Sequence, residues 1–409
     1  MRFKIYFFLI ILFLSNLVSG QENTLWTTQN DISLNYSTCI NQDTNTIQNA
    51  ESLKTLLHKL RAIKNGENQQ VTFVHLGDSH IQADMLTAVI RKAFQNYFGN
   101  AGRGLVFPYQ VIKTNGPTDL IFSSTSSWKG NRLAKKDSIP ACGISGFGMV
   151  SQQVNPEFAF DFRTMNGEKE TFDYIEFFLG TKNSPFKLET TTEIPEQIEQ
   201  ETTLGFTTLA LKTPASGFKI HFNTQDTIPF YGINLKKKNQ NGIIYDAIGV
   251  NGAKYSDYNK TSLFWSQQEN LKADCFILSL GTNEAQNQEL TSEEFIKQVD
   301  NTIIQIKKTS PNASIIITTP PVSFFKKHKP NKKLAMITNA LIAYCTTNQI
   351  AYWDLFSISK GLKGSYQWKT KRLLRPDLVH YSKEGYELQG NLFVNAFIAL
   401  WNQNGFPSH

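Results

Sequence analysis

Three polar residues in two distant segments of the chain are suited to nucleophilic catalysis. Ser79 follows an apolar run and the tight turn of Gly77 and Asp78, and Asp377 and His380 lie three residues apart on one late loop. A serine that attacks an ester needs a base to take its proton, and that base needs a group that orients it. We therefore interpret Ser79 as a candidate nucleophile, His380 as its base and Asp377 as the group that orients the imidazole.

Two further residues offer groups that can stabilise a developing negative charge. Gly252 and Asn283 each follow an apolar run that is typical of a buried strand. The backbone N–H groups of Ser79 and Gly252 and the side-chain amide of Asn283 can together form an oxyanion hole. A glycine suits this position because its backbone can approach a substrate closely.

Each of these residues also has a purely structural alternative, which its own residue type leaves open. Gly252 can be a simple turn, Asn283 can cap a helix, and Asp78 with Ser79 can do the same. A histidine such as His380, taken alone, is more often packed in the core or exposed at the surface.

The hydrophobic pattern places the candidate residues at the ends of alternating strands and helices. Runs typical of buried strands occur at residues 71–76, 243–250, 275–280, 314–319 and 350–355. Helical periodicity follows at residues 83–97, 292–308 and 333–347, and again near the end of the chain, to about residue 401. This alternation predicts an α/β fold with a parallel sheet covered on both faces, in which ligands bind at the carboxyl edge of the strands.

A different pattern occupies residues 116–241. Helical periodicity disappears there, and short alternating runs such as FAFDF and FKIHF are separated by turn-forming residues. This pattern is typical of an antiparallel sandwich. We therefore predict a β-rich lobe at 116–241, inserted into a hydrolase domain formed by residues 21–115 and 242–409.

The amino terminus and the charge indicate an exported protein. Arg2 and Lys4 precede a short apolar run, and small residues before Gln21 offer a cleavage site, which predicts a signal peptide at residues 1–20. The formal net charge of +7 is a mild excess that favours an anionic polymer. No arginine-rich tract or nucleic-acid motif is present, so nucleic-acid binding is not predicted.

The four cysteines give no indication of a metal or redox centre. Cys39, Cys142, Cys275 and Cys345 show no CxxC spacing, and no cofactor or metal is predicted. Cys275 lies in a strand pattern and Cys345 in a helical one, so both are predicted to be core residues. Export permits disulfides, but spacing alone assigns none.

Taken together, four segments resemble the SGNH/GDSL hydrolase superfamily. They are GDSH at 77–80, GVNGA at 249–253, GTNE at 281–284 and DLVH at 377–380, in the order found in that family. The resemblance implies a flavodoxin-like three-layer fold with a five-stranded parallel sheet and no metal. It also implies that Ser79, Asp377 and His380 form the catalytic triad, with Ser79, Gly252 and Asn283 as oxyanion donors. His80 replaces the usual leucine of GDSL, and Glu284 the usual aspartate of GTND.

The segments GDSHIQAD and AGRGLVFPY and the inserted β-sandwich resemble, more narrowly, bacterial peptidoglycan O-acetylesterases. This resemblance implies removal of acetyl groups from muramic acid C6 hydroxyls in the periplasm. Two alternatives are an esterase that acts on another acetylated polysaccharide and an inactive cell-wall binding protein. Trp128, in the polar stretch SSTSSWKGN, is predicted to stack on a sugar of the substrate.

Overall fold

The computed structural model describes most of the chain. The described residues are 26–27, 31–136, 139–180, 186–190, 197–203, 205–223 and 226–404. The predicted signal peptide lies outside them. In this part of the chain no helix has the length and apolar character required to cross a bilayer.

The strands of the described residues are, in chain order, β1 (Ile47–Gln48), β2 (Gln70–Gly77), β3 (Gly104–Val106), β4 (Leu120–Ser123), β5 (Lys129–Arg132), β6 (Phe147–Ser151), β7 (Glu157–Phe162), β8 (Phe172–Leu179), β9 (Phe186–Thr190), β10 (Gln197–Thr203), β11 (Phe206–Ala215), β12 (Gly217–Phe222), β13 (Ile228–Lys236), β14 (Gly242–Gly249), β15 (Cys275–Ser279), β16 (Ser314–Thr318), β17 (Phe324–Phe325), β18 (Lys329–Pro330) and β19 (Ala351–Trp353).

The α-helices of the same residues are α1 (Lys54–Lys64), α2 (Ser79–Gln82), α3 (Met85–Phe98), α4 (Tyr255–Tyr258), α5 (Ser262–Gln268), α6 (Ser292–Thr309), α7 (Lys333–Thr347), α8 (Leu355–Ile358), α9 (Gly361–Thr370) and α10 (Lys383–Asn404). Short 3₁₀ helices lie at Ser33–Cys39, Gln42–Thr44, Ala50–Leu53, Glu269–Leu271 and Glu284–Gln286.

The hydrolase part is built on a mixed sheet with the order β1-β19-β16-β15-β2-β14. The strands from β19 to β14 are parallel, and only the two-residue strand β1 pairs antiparallel, at the β19 edge. Numbered along the chain, the parallel strands have the order 2-1-3-4-5, which is the flavodoxin-like order. The first of the parallel strands, β2, therefore lies at the position where the strand order reverses.

The side chains of β2 are buried on both faces, which fits its interior position between β14 and β15. Every residue from Val71 to Gly77 is buried, as expected for a parallel strand covered by helices on both sides. On one face the ring of Phe73 packs against Phe94 of α3 and Phe397 of α10, with ring centroids 5.2 and 6.4 Å apart. Contacts of α6 with α4, α5 and α7 form a separate helical layer.

The β-rich region consists of two antiparallel sheets that share a phenylalanine-rich core. One sheet has the order β10-β11-β8-β13-β6-β5, with β3 added on β13, and the other has the order β4-β7-β12-β9. Rings of both sheets meet between them; Phe158 of β7, for example, lies 5.0 Å from Phe230 of β13. Because β3 belongs to this arrangement, the region recruits a strand from before residue 116, the boundary expected from the sequence.

The structure does not support sugar stacking by Trp128. Its side chain is only 9% exposed, and its ring packs edge-on against Phe158 and Phe222. The indole N–H donates to the Ser124 hydroxyl at 3.1 Å and to the Glu157 carbonyl at 3.2 Å. Ser124, one of the serines that made this stretch look like an exposed loop, instead accepts the N–H of a buried indole, and the ring has no free face for a sugar.

All four cysteines are buried free thiols. Cys275 lies in β15 and Cys345 in α7, both fully buried, as predicted for core residues. Burial also raises the pKa of the thiols of Cys142 and Cys345 to about 12, so neither forms a reactive thiolate near neutral pH.

A buried ionic network joins the hydrolase part to the β-rich region. Asp84, 4% exposed, accepts two hydrogen bonds from Arg91 at 2.9 and 2.7 Å and one from Arg103 at 2.7 Å. Arg103 also donates to Asp119, which directly precedes β4, at 2.5 Å. Burial opposes ionisation of Asp84, but the two guanidinium groups outweigh it and hold the pKa of this carboxyl below its ordinary value.

We expect Asp84→Ala to lower the free energy of unfolding by about 3–5 kcal/mol, because it leaves two buried arginines without their shared carboxylate. The matched control is Asp161→Ala, which removes an aspartate paired with Lys169 at the surface and costs less than about 1 kcal/mol. Urea denaturation measures both. Since the folded-state pKa of Asp84 is lowered, its contribution is present above the ordinary aspartate pKa and is lost as the pH falls below it. Equal, small losses in the two variants would contradict this role for Asp84.

Candidate active site

Ser79 is positioned by the crowded turn that ends β2. It is the first residue of α2, and the side chain of Asp78 caps this helix by accepting a hydrogen bond from the His80 N–H at 2.9 Å. Gly77 is required here, because a Cβ on it would lie 2.2 Å from Cγ1 of Ile81. Burial raises the pKa of Asp78 to about 8, although the His80 N–H opposes this, so the carboxyl beside Ser79 is largely neutral at pH 7.

His380 connects Ser79 with Asp377. Its Nε2 lies 2.8 Å from Ser79 Oγ, and its Nδ1 lies 2.9 Å from Asp377 Oδ2. The other oxygen of Asp377 accepts the N–H groups of Val379 and His380, both at 2.8 Å. Partial burial favours the neutral carboxyl, but these hydrogen bonds outweigh it and hold the pKa of Asp377 below its ordinary value. The three predicted residues therefore form a continuous hydrogen-bonded chain with an ionised carboxylate at its end.

Backbone contacts fix the loop that carries Asp377 and His380. Leu378 adopts a left-handed φ of 58°, which allows the aspartate to turn back onto the histidine. The carbonyl of Leu378 accepts the N–H of Phe324 at 2.9 Å, and the carbonyl of His380 accepts that of Arg375 at 2.8 Å. The loop is thus held on both sides, and this limits the freedom of the imidazole.

Gly252 and Asn283 lie on the neighbouring strand ends. Gly252 has a φ of 83°, a conformation that favours glycine, in the turn after β14. The amide nitrogen of Asn283 donates to the Ala253 carbonyl at 2.9 Å and, more weakly, to Asp78 Oδ2 at 3.3 Å. Asn283 makes no side-chain cap bond to the 3₁₀ helix that follows it, so the capping alternative does not explain this residue.

Gln82 is a supporting residue that sequence reasoning missed. It is buried at the end of α2, and its Oε1 accepts the N–H of Asn251 at 2.6 Å. Its Nε2 donates to the Asn115 carbonyl at 2.7 Å and lies 3.2 Å from the Thr114 hydroxyl. One amide thus joins the helix of Ser79 to the turn of Gly252. The available signal was its position, three residues after Ser79 in the same short segment.

His80 and Glu284, the two departures from the usual motifs, are both buried. His80 Nδ1 lies 2.9 Å from the Tyr386 hydroxyl, and its ring centroid is 5.5 Å from that of His380. Burial lowers the pKa of His80 to about 3, so it is neutral and adds no charge beside the second imidazole. Glu284 accepts the N–H of Tyr255 at 2.8 Å and thereby anchors α4 behind the Gly252 turn. Burial raises the pKa of Glu284 to about 7.

Comparison with solved structures shows a likeness over most of the chain. A structure described as "Peptidoglycan O-acetylesterase in action, 5 min" matches 85% of this chain and 95% of its own, with 20% identity and a TM-score of 0.72. A lipase/acylhydrolase from Enterococcus faecalis matches 39% of this chain and 77% of its own, with 20% identity and a TM-score of 0.30. An acetylxylan esterase from Geobacillus stearothermophilus, solved as a catalytic mutant, matches 38% of this chain and 72% of its own, with 16% identity and a TM-score of 0.29. A search of curated proteins finds no match.

Residues 215–388 match the model of the GDSL-like Lipase/Acylhydrolase family. This range contains Gly252, Asn283, Asp377 and His380, whereas Ser79 precedes it. The first of the structural matches has the same fold over both the hydrolase part and the β-rich region, since it covers 85% of the chain. Over residues 215–388 the chain is therefore similar to GDSL-like lipases and acylhydrolases, and the protein is a carboxylic ester hydrolase.

Proposed function

We propose that the protein is a serine O-acetylesterase that removes acetyl groups from a cell-wall glycan, with peptidoglycan acetylated on the C6 hydroxyl of muramic acid as its substrate. The observation that carries the proposal is the hydrogen-bonded chain from Ser79 through His380 to Asp377. The choice of glycan is supported by the likeness to a peptidoglycan O-acetylesterase over 85% of the chain. With a signal peptide at residues 1–20, the reaction takes place in the periplasm or outside the cell.

The first half of the reaction transfers the acetyl group to the enzyme. His380 Nε2 takes the proton of the Ser79 hydroxyl as Oγ attacks the acetyl carbonyl carbon, and Asp377 stabilises the imidazolium that forms. The bond between the acetyl carbonyl carbon and the sugar oxygen then breaks, and His380 returns the proton to that oxygen. In the second half, His380 takes a proton from a water molecule as its oxygen attacks the carbonyl carbon of acetyl-Ser79. The bond between that carbon and Oγ then breaks, His380 returns the proton to Oγ, and acetate leaves. In both halves His380 is the group that takes and returns the proton, and Asp377 stays ionised.

Ser79, Gly252 and Asn283 are the proposed donors to the negative oxygen of the tetrahedral intermediate. The Asn283 bond to Ala253, at 2.9 Å, fixes the orientation of the amide. Its second N–H makes only the longer, 3.3 Å contact with Asp78 and can exchange it for the oxyanion. Because Asp78 is largely neutral at pH 7, this donor is not held by a full negative charge.

The choice of substrate is tested by acetate release from O-acetylated peptidoglycan and from acetylated xylan, compared at equal ester concentration. We expect a higher kcat/KM on peptidoglycan and measurable turnover of p-nitrophenyl acetate. A preference for xylan would assign the protein to another acetylated polysaccharide. Failure to hydrolyse any of the three esters would contradict the esterase proposal itself.

We expect Ser79→Ala and His380→Ala each to lower kcat on p-nitrophenyl acetate by at least about 10⁴-fold, because the triad acts as a unit. For the same reason the double variant should be hardly slower than either single one. Circular dichroism and thermal unfolding confirm that the variants are folded. Retention of activity in folded Ser79→Ala would remove the serine mechanism.

Asn283→Ala should lower kcat by about 10²–10³-fold and change KM little, because an oxyanion donor acts on charge that develops in the transition state. Asn287→Ala is the matched control, since this asparagine lies four residues later, and its side chain only accepts the N–H of Glu289. Steady-state kinetics on p-nitrophenyl acetate separate the two parameters. A change confined to KM would mean that Asn283 binds the ground state instead.

A further inference from the structure

The positive charge of the protein is concentrated in one segment. Residues 321–376 contain 11 lysines and arginines and a single acid, Asp354, a formal charge of +10 in a chain whose total is +7. The rest of the chain is therefore negative, at −3. Asp354 is half-buried and accepts hydrogen bonds from Thr319 and Ser357, so it does not offset the charge at the surface.

The fold gathers much of this charge on one surface. The hairpin β17–β18 presents the turn of Lys326 and Lys327, and α9 packs beside it. Phe324 at the base of the hairpin lies 5.6 Å from the ring of Tyr366 on α9, and Lys369 Nζ lies 5.5 Å from the Phe324 ring. Helix α9 continues past Tyr366 to Thr370. We call the exposed cations of this surface the basic platform: Lys326, Lys327, Lys329, Lys369, Lys371 and Arg375.

The basic platform is joined to the loop of the candidate active site. Phe324 donates its N–H to Leu378, which lies between Asp377 and His380, and Arg375 donates its N–H to His380 itself. These main-chain hydrogen bonds fix the platform against the loop of Asp377 and His380. A polymer bound on the platform therefore lies close to Ser79.

No platform cation is neutralised within the part of the chain that the structure describes. In the ion pairs among the described residues, none of the six platform side chains contacts a carboxylate. Like charges gathered at a surface create a potential that attracts an oppositely charged polymer and speeds its association. The effect reaches about 10 Å in 0.1 M salt, so it acts on groups bound close to the platform.

We propose that the basic platform binds the acidic peptide strands of peptidoglycan and so places the acetylated glycan at Ser79. This inference rests on the proposed function, and it names the part of the polymer that is recognised. Peptide strands carry free carboxylates, which charged lysine and arginine side chains bind, whereas xylan and p-nitrophenyl acetate carry none. The platform therefore selects the polymer by its peptide, while the triad cleaves an ester that any acetylated sugar could present.

The test uses two double variants of the platform and one matched control. Lys326→Asn/Lys327→Asn removes two charges with a residue that tolerates the left-handed φ values of 49° and 61° found there. Lys369→Gln/Lys371→Gln removes two charges at the end of α9. Lys307→Gln/Lys308→Gln is the control and removes two exposed lysines from the last turn of α6. This turn leads into the amino end of β16, whereas Ser79 lies at the carboxyl ends of the strands. Each variant is assayed on O-acetylated peptidoglycan, on the same glycan after an amidase has removed its peptides, and on p-nitrophenyl acetate.

At low salt we expect each platform variant to lower kcat/KM on intact peptidoglycan by about fivefold, as two surface charge contacts can. Its activity on peptide-free glycan and p-nitrophenyl acetate should equal that of the wild type, and so should the control on all three substrates. No loss on intact peptidoglycan, or the same loss on peptide-free glycan, would overturn the proposal. Losses in the α6 control as large as those in the platform variants would do so as well.

Binding separates this inference from the proposed function. Cosedimentation of wild-type protein with intact and with peptide-free peptidoglycan should show tighter, salt-sensitive binding to the intact polymer, even if acetate release failed. Binding to phosphatidylglycerol vesicles that exceeded binding to peptidoglycan would show that the platform serves a membrane surface and would overturn the proposal.

Discussion

The contact between Ser79 and His380, made across 301 residues of chain, is the constraint on which the rest of the structure depends. The serine reaches it from the strand where the sheet order reverses, and the histidine from the last loop before α10. A parallel sheet makes this possible because all its carboxyl ends meet at one edge. The β-rich region lies between β2 and β14 in the chain, and these two strands pair over eight residues.

Beneath this edge, a chain of hydrogen bonds joins buried polar side chains of the sheet. His75 in β2 contacts the Tyr245 hydroxyl at 2.8 Å and the Ser279 hydroxyl at 2.6 Å, and Ser279 in turn contacts Thr318. Burial lowers the pKa of His75 to about 3, so this histidine is uncharged. The chain of hydrogen bonds crosses four neighbouring strands and satisfies polar side chains that a parallel sheet would otherwise bury at a cost.

The sequence was sufficient where a function depends on a short motif, and insufficient where it depends on distant partners. GDSH and DLVH place their residues by local turns, so the meeting of Ser79, Asp377 and His380 at one edge of the sheet could be predicted. The prediction for Trp128 was wrong because its indole is buried, and its N–H donates to the Ser124 hydroxyl and to the carbonyl of the distant Glu157. Gln82 and the hairpin β17–β18 were missed for the same reason: their roles arise from Asn115, Asn251 and α9, which no local pattern connects to them.

The contacts of the β-rich region argue against treating it as a separate module. Ala134 lies beside Gly252, 3.7 Å from where a Cβ on that glycine would be, and Asn115 shares Gln82 with the same turn. The side-chain oxygen of Gln267 in α5 accepts a hydrogen bond from the N–H of Ile144 at 2.8 Å, so the region is also held by α5. Its packing thus bears on the geometry of a proposed oxyanion donor. Since a shift of about 1 Å in such a group can cost about 10²-fold in rate, a region that carries no triad residue can still set the rate of the chemistry.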